Sequence, residues 1–304
     1  MKAPHRPNKL GQQAKRPLDK NRAWTWRATL LLFAILLTGP ACVDGLNGLL
    51  ISDSDEVQIG QSVDQSIESE YRILADSDPV AQWAQQLVGH LQNSSDSFRQ
   101  SADFGGFKVE VIHDDELVNA FAGPGGFTYI STGLILAATS CAEPAGVMSH
   151  ELAHVTQRHS VKSIESQYTV SQVAAWLLGD GIAADGINLI STFLSGTQFS
   201  QEHEYEADDV GVQIAYAAGY NPYGFVEFFE KLEAMSGGDP EMPSFFASHP
   251  PTGERIERVI ERINQMAPGV TRGQTPPSYE CIGTTLTLQQ VQDQIRSGNL
   301  SYKN

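Results

Sequence analysis

The stretch His150-Glu151-Leu152-Ala153-His154 constrains this chain more than any other. On a helix, residues four apart share a face about one turn apart, so the two imidazoles would form a clamp for a metal ion. Zinc accepts imidazole nitrogen readily, and a catalytic zinc takes three protein ligands and keeps a fourth position for water. Glu151 stands beside the first imidazole, where a carboxylate can take a proton from water attacking a carbonyl. Three fixed letters in five positions recur by chance in roughly one chain of this size in a hundred, so the surroundings must support the pattern. The competing reading is an amphipathic helix whose His150 and His154 pair with carboxylates.

A third ligand can be sought by type. Gln157 and Ser160 stand where a His-x-x-Gly-x-x-His extension would need Gly and His, which excludes that arrangement. About fifty residues on, Gln201 to Gly211 reads as a second helix with Glu204 and Asp208 on one face. Ala207 and Gly211 on or beside that face would let it approach the first helix closely. Glu204 would complete a two-His, one-Glu zinc site, and Asp208 could accept the free ring N–H of a ligating histidine. The alternative is a solvated acidic face, since Glu202, Glu204, Glu206, Asp208 and Asp209 crowd together.

With these residues in view, the chain resembles the HtpX-like gluzincin peptidases, a family that includes the CAAX prenyl proteases. The resemblance runs from Glu56-Val57-Gln58-Ile59-Gly60 through Asn119 to Gly126 and Ser131-Thr132-Gly133-Leu134, then to Ser248-His249-Pro250 with Arg255-Ile256. It implies an α+β, mostly α, zincin-like domain with a small β-sheet, and one zinc held by His150, His154 and Glu204. Glu151 would be the catalytic carboxylate, and Asp208 would stand behind the ligands as the partner of a ligating histidine. The multi-span branches and the branch with a tetratricopeptide array do not fit this sequence, so the likeness is to the small periplasmic branch. The implied substrates are unfolded or misfolded envelope proteins. A chaperone-like assembly factor that uses the metal domain as a binding platform is the alternative, and a zinc hydrolase acting on small molecules is a third.

The N-terminus agrees with that placement. Eight Lys or Arg residues precede an apolar run of about ten, Ala28 to Leu37, too short to span a bilayer. Residues 1–41 therefore read as a secretory signal. Cleavage after Ala41 would leave a soluble periplasmic protein, whereas Cys42 resembles a lipoprotein acceptor and would anchor it, on the outer membrane in that case. Residues 42–56 then read as a tether, 57–268 as the peptidase domain and 269–304 as a tail with a short helix. The whole chain has 20 basic and 36 acidic residues; removing 1–41 takes away eight bases and Asp19, leaving 12 against 35 and a net charge of −23. Such a surface argues against nucleic acid as a partner. With Cys42 acylated, Cys141 and Cys281 remain, and the even remainder permits one disulfide in an oxidising compartment, or else two buried thiols.

Periodicity places the rest. Asp78-Pro79 opens a helix through His90, with Trp83 in the core. Phe107 to His113 alternates like a strand with one wet face, and Phe127 to Ser131 suits its partner across Gly123-Pro124-Gly125-Gly126. That run reads as a turn flanking an edge strand, where an extended peptide could pair with Gly125, Gly126 and Phe127. The metal helix starts at Glu143-Pro144 and continues past His159, which points away from the metal as a surface or structural histidine. Ala174 to Phe199, apolar and interrupted by glycines, is a helical hairpin or a flap over the cleft. Two further helices run from Asn221-Pro222 to Met235 and from Thr252 to Met266. His249, on a loop stiffened by Pro250 and Pro251, could displace water from the zinc, donate to the oxyanion, or simply cap a helix entry.

Overall fold

The computed structural model describes residues 50–168, 199–236, 245, 249, 253–273 and 281–303. The signal segment, Cys42, the apolar stretch from Ala174 up to Phe199, the Asp239-Pro240 loop and the prolines after His249 lie outside the described residues. Helix α1 (Asp53–Glu70) begins at a reciprocal cap: the Ser52 hydroxyl accepts the Asp55 N–H and the Asp55 carboxylate accepts the Ser52 N–H, each at 3.2 Å. Residues 53–56, expected in a polar tether, are thus the first turn of a helix. Glu56 is buried there because Arg99 and Arg158 both reach its carboxylate. Helix α2 (Pro79–Ser95) starts on Asp78, whose carboxylate accepts the Val80 N–H at 2.9 Å, with Pro79 where no N–H is needed. It runs a turn beyond His90 and buries Trp83, Leu87 and Leu91.

Strand β1 (Lys108–Ile112) pairs in parallel with β3 (Phe127–Ser131), and β2 (Ala120–Ala122) pairs antiparallel on the other side of β3. The two strands expected as partners do pair, but β3 is the middle strand, so the edge expected beside Gly125, Gly126 and Phe127 is not there. All three residues are buried, and Gly125 lies against α1, its N–H donating to Glu56 at 3.1 Å. At Gly125 φ is +70°, and a Cβ would lie 2.7 Å from Val57 Cα, so the position needs glycine for packing rather than for a substrate. Gly125, Gly126 and Phe127 thus face the interior rather than an open strand edge.

Helix α3 (Thr132–Ala137) leads to α4 (Ala142–Thr156), which is buried on every side. The expected continuation past His159 fails at Arg158, which adopts the left-handed conformation (φ 56°, ψ 36°) and turns the chain into a separate helix, α5 (His159–Gln167). That conformation costs a non-glycine residue about 1–2 kcal/mol. It is offset by the Arg158 side chain, whose Nε lies 2.9 Å from the buried Glu56 carboxylate and whose Nη2 donates to the Ile51 carbonyl at 2.6 Å. Helix α6 (Gln201–Ala217), capped by Ser200, lies along α4. The approach is as close as glycine permits: a Cβ at Gly211 would sit 2.9 Å from His150 Cα.

Helices α7 (Tyr223–Ser236) and α8 (Gly253–Met266) and the terminal α9 (Leu288–Ser297) complete the described elements. Residues expected as a separate tail belong to the same core, which receives Leu288, Val291 and Ile295 from α9. Cys141, at the start of α4, and Cys281 meet in a disulfide with Cα atoms 5.2 Å apart. Beyond α9, Ser301 and Lys303 exchange main-chain bonds with Ala75 and Ile73 at 2.9 and 3.0 Å. Among the described residues, no helix is long and apolar enough to cross a membrane.

Candidate metal centre

Helix α4 carries His150 and His154 one turn apart, and their Nε2 atoms lie 3.0 Å from each other. Glu204 on α6 brings Oε2 to 3.6 Å from the first and Oε1 to 3.5 Å from the second. His249 adds Nδ1 at 3.1 Å from Glu204 and 3.3 Å from His150 Nε2. One ligand atom from each of these four buried residues lies within 4.8 Å of all the others. Flat apolar neighbours hold the rings: Phe225 stacks on His150 at 5.1 Å and Phe199 on His154 at 4.1 Å. Sequence reasoning named all four, and the fold brings them together.

Behind the cluster, His150 Nδ1 is 3.1 Å from Asp208. Asp208 is bound through both oxygens by Arg255 of α8, at 2.8 and 2.7 Å, and a third guanidinium nitrogen reaches Glu204 at 2.7 Å. Burial alone would raise both carboxyls, but the Arg255 charge and its hydrogen bonds hold Asp208 below its ordinary value. Glu204 is held well below the usual carboxylate range, against burial, by His249 and His150. His154, buried among other imidazoles, is pushed well below the usual histidine range. These settings favour ionised carboxylates and a neutral His154, the forms that bind a cation. Against burial, Asp208 and Glu204 raise the His150 imidazole to about 9, so a metal ion must displace a proton there.

Glu151 is fully buried, and neither carboxylate oxygen has a hydrogen-bond partner among the described residues. His249 Nε2 lies 3.4 Å from its Oε1. Burial pushes the Glu151 carboxyl up, opposed by His249 and His150. A buried carboxylate without a hydrogen bond, beside converging imidazole and carboxylate donors, is chemistry that fits a zinc ion and an attacking water.

The profile of peptidase family M48 matches residues 81–263, more than half of the chain and all of the ligand-bearing elements on α4 and α6. The chain belongs to peptidase family M48. It is similar to the β-barrel assembly-enhancing protease of Escherichia coli K12, with 28% identity over 237 residues covering 74% of this chain and 47% of that protein. Metalloprotease YcaL of the same organism is 28% identical over 243 residues, covering 74% of this chain and 88% of that protein. The mitochondrial metalloendopeptidase OMA1 of Arabidopsis thaliana is 29% identical over 186 residues, 61% of this chain and 37% of that one. The chain spans about half the length of the assembly-enhancing proteases it matches.

Three contributors escaped sequence reasoning. Arg255 stood only inside a family-like segment, and its charge gave no hint that it would be buried between Glu204 and Asp208. His159 is fully buried rather than on the surface, with its Nδ1 2.9 Å from Nδ1 of His154. Burial pushes its imidazole down to about 4. On one continuous helix it would point away; the break at Arg158 turns it back. Glu206, read only as part of an acidic face, is its partner at 3.0 Å.

Proposed function

We propose that this chain is a zinc-dependent endopeptidase of the bacterial cell envelope that degrades unfolded or damaged proteins. The observation that carries the reading is the buried convergence of His150, His154 and Glu204 beside Glu151, whose oxygens have no hydrogen-bond partner among the described residues. Zinc, when bound, supplies a Lewis acid that polarises the scissile carbonyl and lowers the pKa of water. Glu151 takes the proton of the attacking water and passes it to the departing amine. Asp208 and Arg255 hold His150 and Glu204 in place. His249 lies close enough to the ligand atoms to share the site, keeping the enzyme latent; moved aside, its ring can donate to the oxyanion.

The envelope is supported by the basic and then apolar N-terminus, by the joined Cys141 and Cys281, and by the similarity to β-barrel assembly-enhancing proteases. Acylation at Cys42 would tie the enzyme to a membrane, and mass spectrometry of envelope protein would read it as an acylated N-terminal cysteine. Intact Glu151 counts against a chaperone that only binds, because binding has no use for a carboxylate there. Purified chain should cleave denatured casein, stop with a chelator and recover with zinc. Cleavage untouched by complete metal removal, or equal cleavage of folded proteins, would overturn the reading.

A further inference from the structure

A second line of polar contacts leaves the metal cluster from the far side of His154. That ring turns Nε2 toward the cluster, and its Nδ1 lies 2.9 Å from Nδ1 of His159. Nε2 of His159 in turn lies 3.0 Å from Oε2 of Glu206. His159 is fully buried, whereas the Glu206 side chain is 43% exposed.

The proton positions follow from donor and acceptor capacity. Two Nδ1 atoms at this distance need one proton between them, so one ring donates and the other accepts. An ionised carboxylate only accepts, which puts the His159 proton on Nε2, facing Glu206, and leaves its Nδ1 as the acceptor. His154 must then carry its proton on Nδ1, and the Nε2 lone pair is free for the cluster. We propose that His159 and Glu206 are positioning residues for the metal ligand His154, fixing its tautomer and ring plane through an imidazole–imidazole–carboxylate relay. This inference rests on the metal-centre reading above.

The surroundings hold the relay in one geometry. Phe199 stacks on His154, and His203 lies almost parallel to His159, 4.4 Å away and 14° from coplanar orientation. Lys162 Nζ stands 3.5 Å from the Glu206 oxygen that receives His159. The left-handed turn at Arg158 is what places His159 beneath His154, so that conformation serves the metal centre as well as the fold. Each imidazole on α4 thus ends on a carboxylate of α6: His150 on Asp208 directly, His154 on Glu206 through a second ring.

The test is zinc affinity of the full chain by chelator competition, read beside the melting temperature of metal-free protein. His159→Phe keeps a ring but removes the acceptor; it is expected to weaken zinc binding about 10–100-fold. His159→Gln, whose amide oxygen can accept the His154 proton, is expected to recover most of that loss. Glu206→Ala, at an exposed position that does not endanger folding, is expected to weaken zinc by about three- to tenfold. In the zinc form, NMR of labelled histidine should show the His154 proton on Nδ1 in wild type. Affinities of His159→Phe and Glu206→Ala equal to wild type would overturn the relay alone. Failure of wild type itself to bind zinc would overturn the metal-centre reading and the relay with it.

Discussion

Nδ1 of His150 lies 3.1 Å from a carboxylate oxygen of Asp208, on the side of the ring opposite the metal cluster. Asp208 sits one turn after Glu204 on α6, so a single helix supplies both a ligand and the group that orients another ligand. Replacing Asp208 by Asn keeps an acceptor for His150 but loses the ion pair with Arg255. Zinc affinity is expected to fall about 10–100-fold, measured by competition with a chelator. An unchanged affinity would show that His150 needs no partner behind it.

His249 faces two ways, with Nδ1 at Glu204 and Nε2 3.4 Å from Glu151. A ring so placed among the ligand atoms should hold the enzyme latent. His249→Ala is therefore expected to raise casein cleavage or cause self-cleavage, with zinc retained. A fall in kcat of about a hundredfold with zinc retained would assign it to the oxyanion instead. Unchanged kinetics and metal affinity would leave it a packing role only.

The ligands were legible because a helix imposes a spacing: His150 with His154, and Glu204 with Asp208, each mark one face one turn apart. Strand β1 was legible by alternation and β3 as its partner, but β2 and the strand order were not, because nothing local tells β3 that β1 and β2 will flank it. For the same reason Gly125 and Gly126 looked like an open turn, although long-range packing places α1 over them. The break at Arg158 was invisible too. A left-handed arginine is stabilised by Glu56, about a hundred residues away, and no window around position 158 contains that partner.

The Cys141–Cys281 link joins the start of α4 to the segment before α9 across 140 residues. Cutting so long a loop is expected to cost about 2–5 kcal/mol of stability. Cys281→Ser should lower the denaturation midpoint accordingly, and non-reducing mass spectrometry of wild type should show no alkylatable thiol at either position. Two alkylatable thiols without reductant would contradict the link.

Glu110 gives a pH dependence that can be isolated from the metal site. Burial, with one carboxylate oxygen left unbonded, raises its carboxyl to about 7 despite contact with Lys303. The folded state therefore holds this proton more tightly than the unfolded chain does. The associated stability is fully present below about pH 4.5 and is lost as pH rises through about 7. Glu110→Gln should remove that slope, so its stability relative to wild type improves by about 1 kcal/mol between pH 5 and pH 8 after discounting for solvent screening. Parallel pH profiles of unfolding for the two proteins would contradict the assignment.

Glu151→Gln tests the zinc peptidase mechanism most directly, because it removes the base while keeping the shape of the side chain. Zinc content and cleavage of denatured casein should be measured on the same preparation. The expected result is one zinc per chain in both proteins, with cleavage lost by at least about a hundredfold in the variant. Full activity in zinc-loaded Glu151→Gln would contradict the mechanism.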